Sequence, residues 1–255
     1  MKRILMVALA CASASGGTAL GADYEGLTLG AGVHYTEGNY GTPVSTEITS
    51  LAFTGRYDAE RWIFKATVPW LSVSGSPGVV PGIGRLRGPV VAERSESGLG
   101  DVVLSATHKT YYDTAQQVGL DLTGRVKLAT ADEAEGLGTG EHDVGFQADA
   151  FKSFGRITGF VGLGYTIFGD SPAFPLRNVF NATFGATYRL DERDSAGIAY
   201  DRRDAVARGA DDLSELTAFW SHQLDRAWKS QAYFLLGLED GSPDWGAGLS
   251  LAYSF

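Results

Sequence analysis

Four histidines, a run of carboxylates and one glycine-rich stretch are the residues with the most obvious potential for chemistry. Gly136-Leu137-Gly138-Thr139-Gly140 has the composition of a phosphate-cradling loop, but such a loop needs a following helix whose N-terminus faces the anion. The segment that follows, His142 to Phe154, alternates with a period of two instead. Asp132, Glu133, Glu135, Glu141 and Asp143 flank the glycines, with Ala134 where a calcium loop requires an oxygen ligand. His34, His108, His142 and His222 are dispersed without His-x-x-x-His spacing, and no G-x-S-x-G elbow occurs. The chain therefore reads as a non-enzyme with no catalytic residue, metal site or cofactor, and its loop carboxylates read as solvated charge. The charges that carry information sit at alternate positions inside apolar segments: Arg56, Lys65, Lys109, Asp121, Arg125, Lys127, Asp149, Arg189, Glu215 and Glu239.

The elements that must position these charges are strands. Trp245, Ala247, Leu249, Leu251, Tyr253 and Phe255 alternate with Gly246, Gly248, Ser250, Ala252 and Ser254. That period places bulky apolar groups on one face and small or polar groups on the other. Val118, Leu120, Leu122, Val126 and Leu128 repeat the pattern against Asp121, Thr123, Arg125 and Lys127. Ten further segments fit: Leu27 to Tyr35, Leu51 to Tyr57, Trp62 to Trp70, Val102 to Tyr112, Val144 to Ala150, Ile157 to Ile167, Phe180 to Leu190, Ala196 to Tyr200, Leu216 to Leu224 and Ala232 to Leu238.

Twelve strands with a greasy face and a lean polar face suit a transmembrane antiparallel up-and-down β-barrel, whose exterior meets lipid and whose interior is a lumen. A soluble β-sandwich with the same aromatics in its core is the alternative. The connections favour the barrel. Asp58-Ala59-Glu60, Asp113 to Gln116, the region of Gly155, Asp191 to Asp194 and Asp225 to Ala227 are tight. Ser74 to Ser97, Asp132 to Glu141, Gly169 to Arg177 and Arg203 to Asp211 are longer, as external loops of outer-membrane barrels are. Tyr57, Trp62, Trp70, Tyr112, Tyr165, Tyr188, Trp220, Trp245 and Tyr253 lie near strand ends, where aromatic girdles meet headgroups. Inward Gly162, Gly164, Gly246, Gly248 and Ser250 are expected to leave room on one side of the lumen.

Composition sets the compartment. A formal net charge of -9 and a sequence pI near 4.9 argue against nucleic acid as partner. Lys2 and Arg3, an apolar run from Ile4 to Ala12 and the small residues to Ala22 read as a secretory signal peptide over 1–21, leaving a barrel over 22–255. Its removal leaves 19 basic against 30 acidic residues, a net of -11. The sole cysteine, Cys11, falls in that segment. It gives a faint lipobox alternative and otherwise leaves the exported chain without a thiol.

Two resemblances add to this reading. Tyr253-Ser254-Phe255 at the end of an alternating segment resembles the C-terminal signal read by the bacterial barrel assembly machinery, which implies that machinery as a partner. GLGD at Gly98 to Asp101 and RVKLATADEAEGLGTGEHDVGFQADAFKSFG at Arg125 to Gly155 resemble the putative outer-membrane transporter family of the meta-pathway of phenol degradation. Where that family favours Pro-Thr-Gly-Asp, this chain has Ala129-Thr130-Ala131-Asp132. The resemblance implies an outer-membrane channel for passive diffusion of small solutes, with small aromatic or hydrophobic compounds as cargo. It brings no substrate residue. A non-conducting structural or surface-interaction barrel and a barrel hydrolase are the alternatives.

Overall fold

The computed structural model describes residues 25–86, 93–169 and 175–255, so the proposed signal segment lies outside the described residues. The strands are β1 (Gly26–Gly38), β2 (Thr46–Asp58), β3 (Trp62–Gly75), β4 (Val79–Val80), β5 (Gly84–Arg85), β6 (Arg94–Leu99), β7 (Val102–Asp113), β8 (Val118–Leu128), β9 (Asp143–Phe154), β10 (Ile157–Ile167), β11 (Val179–Arg189), β12 (Asp194–Arg203), β13 (Leu213–Gln223), β14 (Trp228–Gly237) and β15 (Trp245–Ser254). β4 and β5 form a separate two-stranded hairpin. β6 and β7 both pair with β3 and are two halves of one stave, interrupted at Gly100-Asp101. The result is twelve antiparallel staves, each paired with its sequence neighbour, and β1 closes the ring on β15. The side chains of Thr28 and Ser254 bond across that seam at 3.0 Å. Closure is what hydrocarbon demands, because an open edge would leave backbone N–H and C=O groups unpaired where no water can reach them.

The alternation works as the sequence implies. Leu163, Phe180, Ile198, Leu249 and Phe255 point outward with between 57% and 66% of their surface exposed. On the opposite face, Asp121, Thr217 and Ser221 are almost wholly covered. A water-soluble sandwich would show the reverse. Outward aromatics gather near both ends of the staves: Trp228, Tyr253 and Phe255 meet edge to face in sequence at the short-turn end, with ring centroids 4.9 and 4.8 Å apart. Tyr35 and Trp245 meet at 5.2 Å at the other end. Tyr112 is an exception to the girdle expected for it. A bulge between Lys109 and Tyr111 shifts the register of β7, so Tyr111 faces out and Tyr112 turns in, to donate to Asp121 Oδ1 at 3.4 Å. One inserted residue reverses parity for the rest of a strand.

The glycines on the inner face do not leave the room expected of them. Phe151, Phe160, Phe219 and Tyr233 each lie over the glycine directly across the ladder: Gly119, Gly185, Gly197 and Gly248 respectively. Asp149 covers Gly162 and Asn181 covers Gly164 in the same way. The missing Cβ is filled by a flat neighbour, which packs large rings into a confined interior. Gly197→Val should therefore cost about 1–3 kcal/mol by overpacking against Phe219. Gly124→Val, at an outward position with open space, should stay within about 0.5 kcal/mol. Urea midpoints in lipid vesicles measure both, and equal midpoints would show that no ring occupies the Gly197 site.

Three short turns use one device. The carboxylate of Asp113 accepts from the N–H groups of Ala115 and Gln116, that of Asp191 from Arg193 and Asp194, and that of Asp225 from Ala227 and Trp228, all at 2.7–3.0 Å. These backbone donors hold Asp191 and Asp225 below the ordinary carboxylate pKa. A depressed folded value contributes stability that is fully present above the unfolded pKa near 4 and is lost as pH falls through the folded value. Asp191→Asn with Asp225→Asn keeps an acceptor oxygen but removes the charge. The double variant should lose part of the decline in unfolding midpoint seen in the parent below about pH 4.

Candidate functional site

β3 leads into the longest connection, and its described part folds back over the long-loop end of the barrel. Val80 and Ile83, from the β4–β5 hairpin, are buried with Phe168 and Val179 from around the β10–β11 connection and with Val206 and Ala207 from the β12–β13 connection. Those partners lie four to six staves away from β3 around the ring. Arg203, at the end of β12, donates to the carbonyls of Gly82 and Ile83. Arg85 donates to the carbonyls of Gly41 and Gly209 and pairs with Asp211 at 3.1 Å. Carbonyl acceptors and guanidinium donors thus tie one hairpin to loops on opposite sides of the rim, so it spans the mouth as a cap.

The connection from Ala129 to His142 is a second mouth element, and it explains the motif residues. Asp101, at the break between β6 and β7, accepts from the N–H groups of Thr130 and Ala131 and pairs with Lys127 at 3.0 Å. Lys127 also reaches Asp143 at 2.8 Å and donates to Thr139. Leu137 is buried with Leu71, Val73 and Ala131, and Asp132 caps the N–H groups of Ala134 and Glu135. The glycine-rich stretch is the hinge work of this folded loop. Gly136 and Gly140 take positive φ, of 62° and 73°, which other residues rarely adopt. Three or more His, Cys, Asp or Glu side chains placed to hold a metal do not occur among the described residues.

Below the cap, register positions locate the ten charged residues of the sequence reading. Arg56, Lys65, Lys109, Asp121, Arg125, Lys127, Asp149, Arg189 and Glu215 stand on the inner face of their strands. Glu239 does not. β14 stops at Gly237, and Glu239 is exposed in the connection, where its carbonyl accepts from Ser242. A strand assignment running one residue long carried the parity into a turn. Arg189 lies at the short-turn end, donating to the carbonyl of Gly155.

The arrangement of the remaining charges was not visible in linear parity. Arg56 holds Asp58 in a bidentate pair at 2.6 and 2.7 Å, and Arg125 donates to Thr166 at 2.7 Å. Gln147 donates to Asp149 and Thr183 to Asp201, each at 2.6 Å. Asp58, Asp143, Asp201, Arg203 and Lys229 are inward charges the sequence reading passed over, because each falls at or beyond the end assigned to its strand. Extending the alternation three residues past Tyr200 and three before Ala232 would have found Asp201, Arg203 and Lys229.

No family model matches the chain, and neither does any curated protein. Solved structures do. An outer membrane channel from Pseudomonas putida F1 aligns with a TM-score of 0.70 at 17% identity, over 91% of this chain and 98% of that one. The fold is that of an outer-membrane barrel. The NanC porin aligns at 0.57 and 9% identity, over 89% of this chain and 100% of its own. The translocator domain of autotransporter NalP from Neisseria meningitidis aligns at 0.56 and 12%, over 91% and 89%. Porin and translocator share the barrel, so the use of this one rests on its own lumen and mouth.

Proposed function

We propose that this barrel is a narrow passive channel for small solutes in the bacterial outer membrane, selecting them by lumen width and wall charge. One observation carries the reading: charged side chains, of both signs in total, sit on the enclosed face of nine staves, where a scaffold alone would gain more from apolar packing. Inward Arg and Lys attract anionic groups, inward Asp and Glu accept hydrogen bonds, and no energy coupling is required. The resemblance to the phenol-pathway family supports small aromatic compounds as cargo, and inward Phe160, Phe219 and Tyr233 supply ring faces to such molecules. The exposed outward ring of Phe255 supports recognition of the last strand by the assembly machinery, which deletion of Phe255 tests through insertion yield.

The cap favours a second reading, in which the barrel is closed and acts as a structural or surface-interaction element. Purified protein in a planar bilayer separates the two. Discrete, solute-dependent current steps are the expected result, whereas silence from both the native chain and a chain with a shortened hairpin would leave only the closed barrel.

A further inference from the structure

Four inward carboxylates stand in one register row. Asp121 on β8 faces Asp149 on β9, and the row passes through Gly162 on β10 and Thr183 on β11 to Asp201 on β12 and Glu215 on β13. Asp121 is the fourth residue of its strand from the short-turn end, whereas Glu215 is the third from the long-loop end. Because the staves tilt, the row climbs the lumen wall from the lower end almost to the mouth. Of the inward cations, Arg56, Lys65 and Lys229 lie on β2, β3 and β14, away from the middle of the row and within a few residues of the short-turn end, Lys109 on β7 stands directly across the ladder from Asp121, and Arg125, Lys127, Arg189 and Arg203 share the staves of the row itself. β14 lies six staves from β8 in a ring of twelve, so Lys229 stands across the lumen from Asp121.

A second observation marks the row as a place for a ligand. Asp149 is more than nine-tenths buried, and its Oδ1 takes the bond from Gln147, but Oδ2 has no hydrogen-bond partner. A buried carboxylate oxygen without a donor is costly, and a transient cationic group relieves that cost. The Gly162 position across the ladder leaves the carboxylate free to lie along the wall.

Resting on the channel reading above, we infer that the preferred solutes are small zwitterions, carrying an ammonium group along the carboxylate row and a carboxylate against the basic sector. A simple cation is attracted to the row and repelled by Arg56, Lys65, Lys109 and Lys229 at the lower end. A simple anion meets the opposite pattern. Only a solute bearing both signs is attracted at both walls where they face each other.

Liposome swelling with γ-aminobutyrate and with erythritol, neutral and of similar size, tests this on the full chain and on a chain whose 77–86 segment is replaced by a Gly-Ser linker. γ-Aminobutyrate should enter about fivefold faster than erythritol, the effect expected of one exposed ion pair. Asp121→Asn with Asp149→Asn should bring that ratio close to one, and Lys229→Gln should reduce it in part. Equal entry of the two solutes into vesicles that do swell would overturn the inference while leaving the channel intact. An unchanged ratio in the Asn variant would overturn it as well. Failure of both chains to pass either solute would remove the channel reading and the inference with it.

Discussion

Replacing 77–86 by a short Gly-Ser linker should raise the unitary conductance at least about twofold, because it removes the hairpin that crosses the mouth. The expectation rests on where the hairpin is held. Val80 and Ile83 contribute to an apolar cluster with residues from two connections on the far side of the ring, and Arg85 and Arg203 bond its neighbours and its own carbonyls. Those carbonyl acceptors and the cluster are all at the long-loop end, so their loss leaves the twelve staves and their closure untouched. Arg203→Ala is the milder version. It withdraws two hydrogen bonds to Gly82 and Ile83, and should lengthen open times in single-channel records. Unaltered current in both variants would show that the hairpin lies clear of the conduction path.

Leu163→Arg should destabilise the barrel by about 2–4 kcal/mol, the cost of a cation on the lipid face near the bilayer midplane. Leu163 is the seventh of eleven residues in β10, between Gly162 and Gly164 on the inner face, and 64% of its surface is exposed. In a water-soluble molecule an arginine at so exposed a position would change stability by no more than about 0.5 kcal/mol. The urea midpoint of the protein folded into vesicles reads the difference, with Gly124→Val as a neutral outward control. A midpoint indistinguishable from the parent would mean that this face does not meet hydrocarbon.

These two expectations draw on parts of the molecule that were unequally legible in the sequence. The staves were readable because each one carries its own signal: Ile157 to Ile167 alternates except at Gly159-Phe160 and forms a strand over those same residues. The phase of the connections was readable for the same reason, since Asp191 and Asp225 are local turn residues. The bulge at Lys109–Tyr111 was not, because a single extra residue leaves no mark on composition, and Tyr112 was consequently assigned to the wrong face. Parity depends on where each strand is taken to end, and Glu239, in the connection beyond β14, marks where that rule runs out. What no linear reading supplies is register between distant staves. The carboxylate row joining Asp121 to Glu215 passes through six strands, and each link is a pairing decided by the closed sheet.

The cap was hidden for a related reason. Ser74 to Ser97 reads as a loop rich in Gly and Pro, which is how an exposed loop looks. Its Val80 and Ile83 find their partners only when Phe168, Val179 and Val206 have been brought to the same rim by folding. The motif residues behaved similarly. Asp101 and Lys127 look like isolated charges in sequence, yet they secure one folded loop against the wall.

Everything depends on adjacent side chains of one strand meeting different solvents, and spin labels test that at the level of single residues. Labels at Leu104 and Leu249 should collide with dissolved oxygen in the acyl region. Labels at Ser105 and Ser250, one residue along, should collide with a water-soluble nickel chelate. Labels at Leu104 and Leu249 that are shielded from oxygen, in protein that stays in solution without lipid, would contradict the barrel and the channel alike.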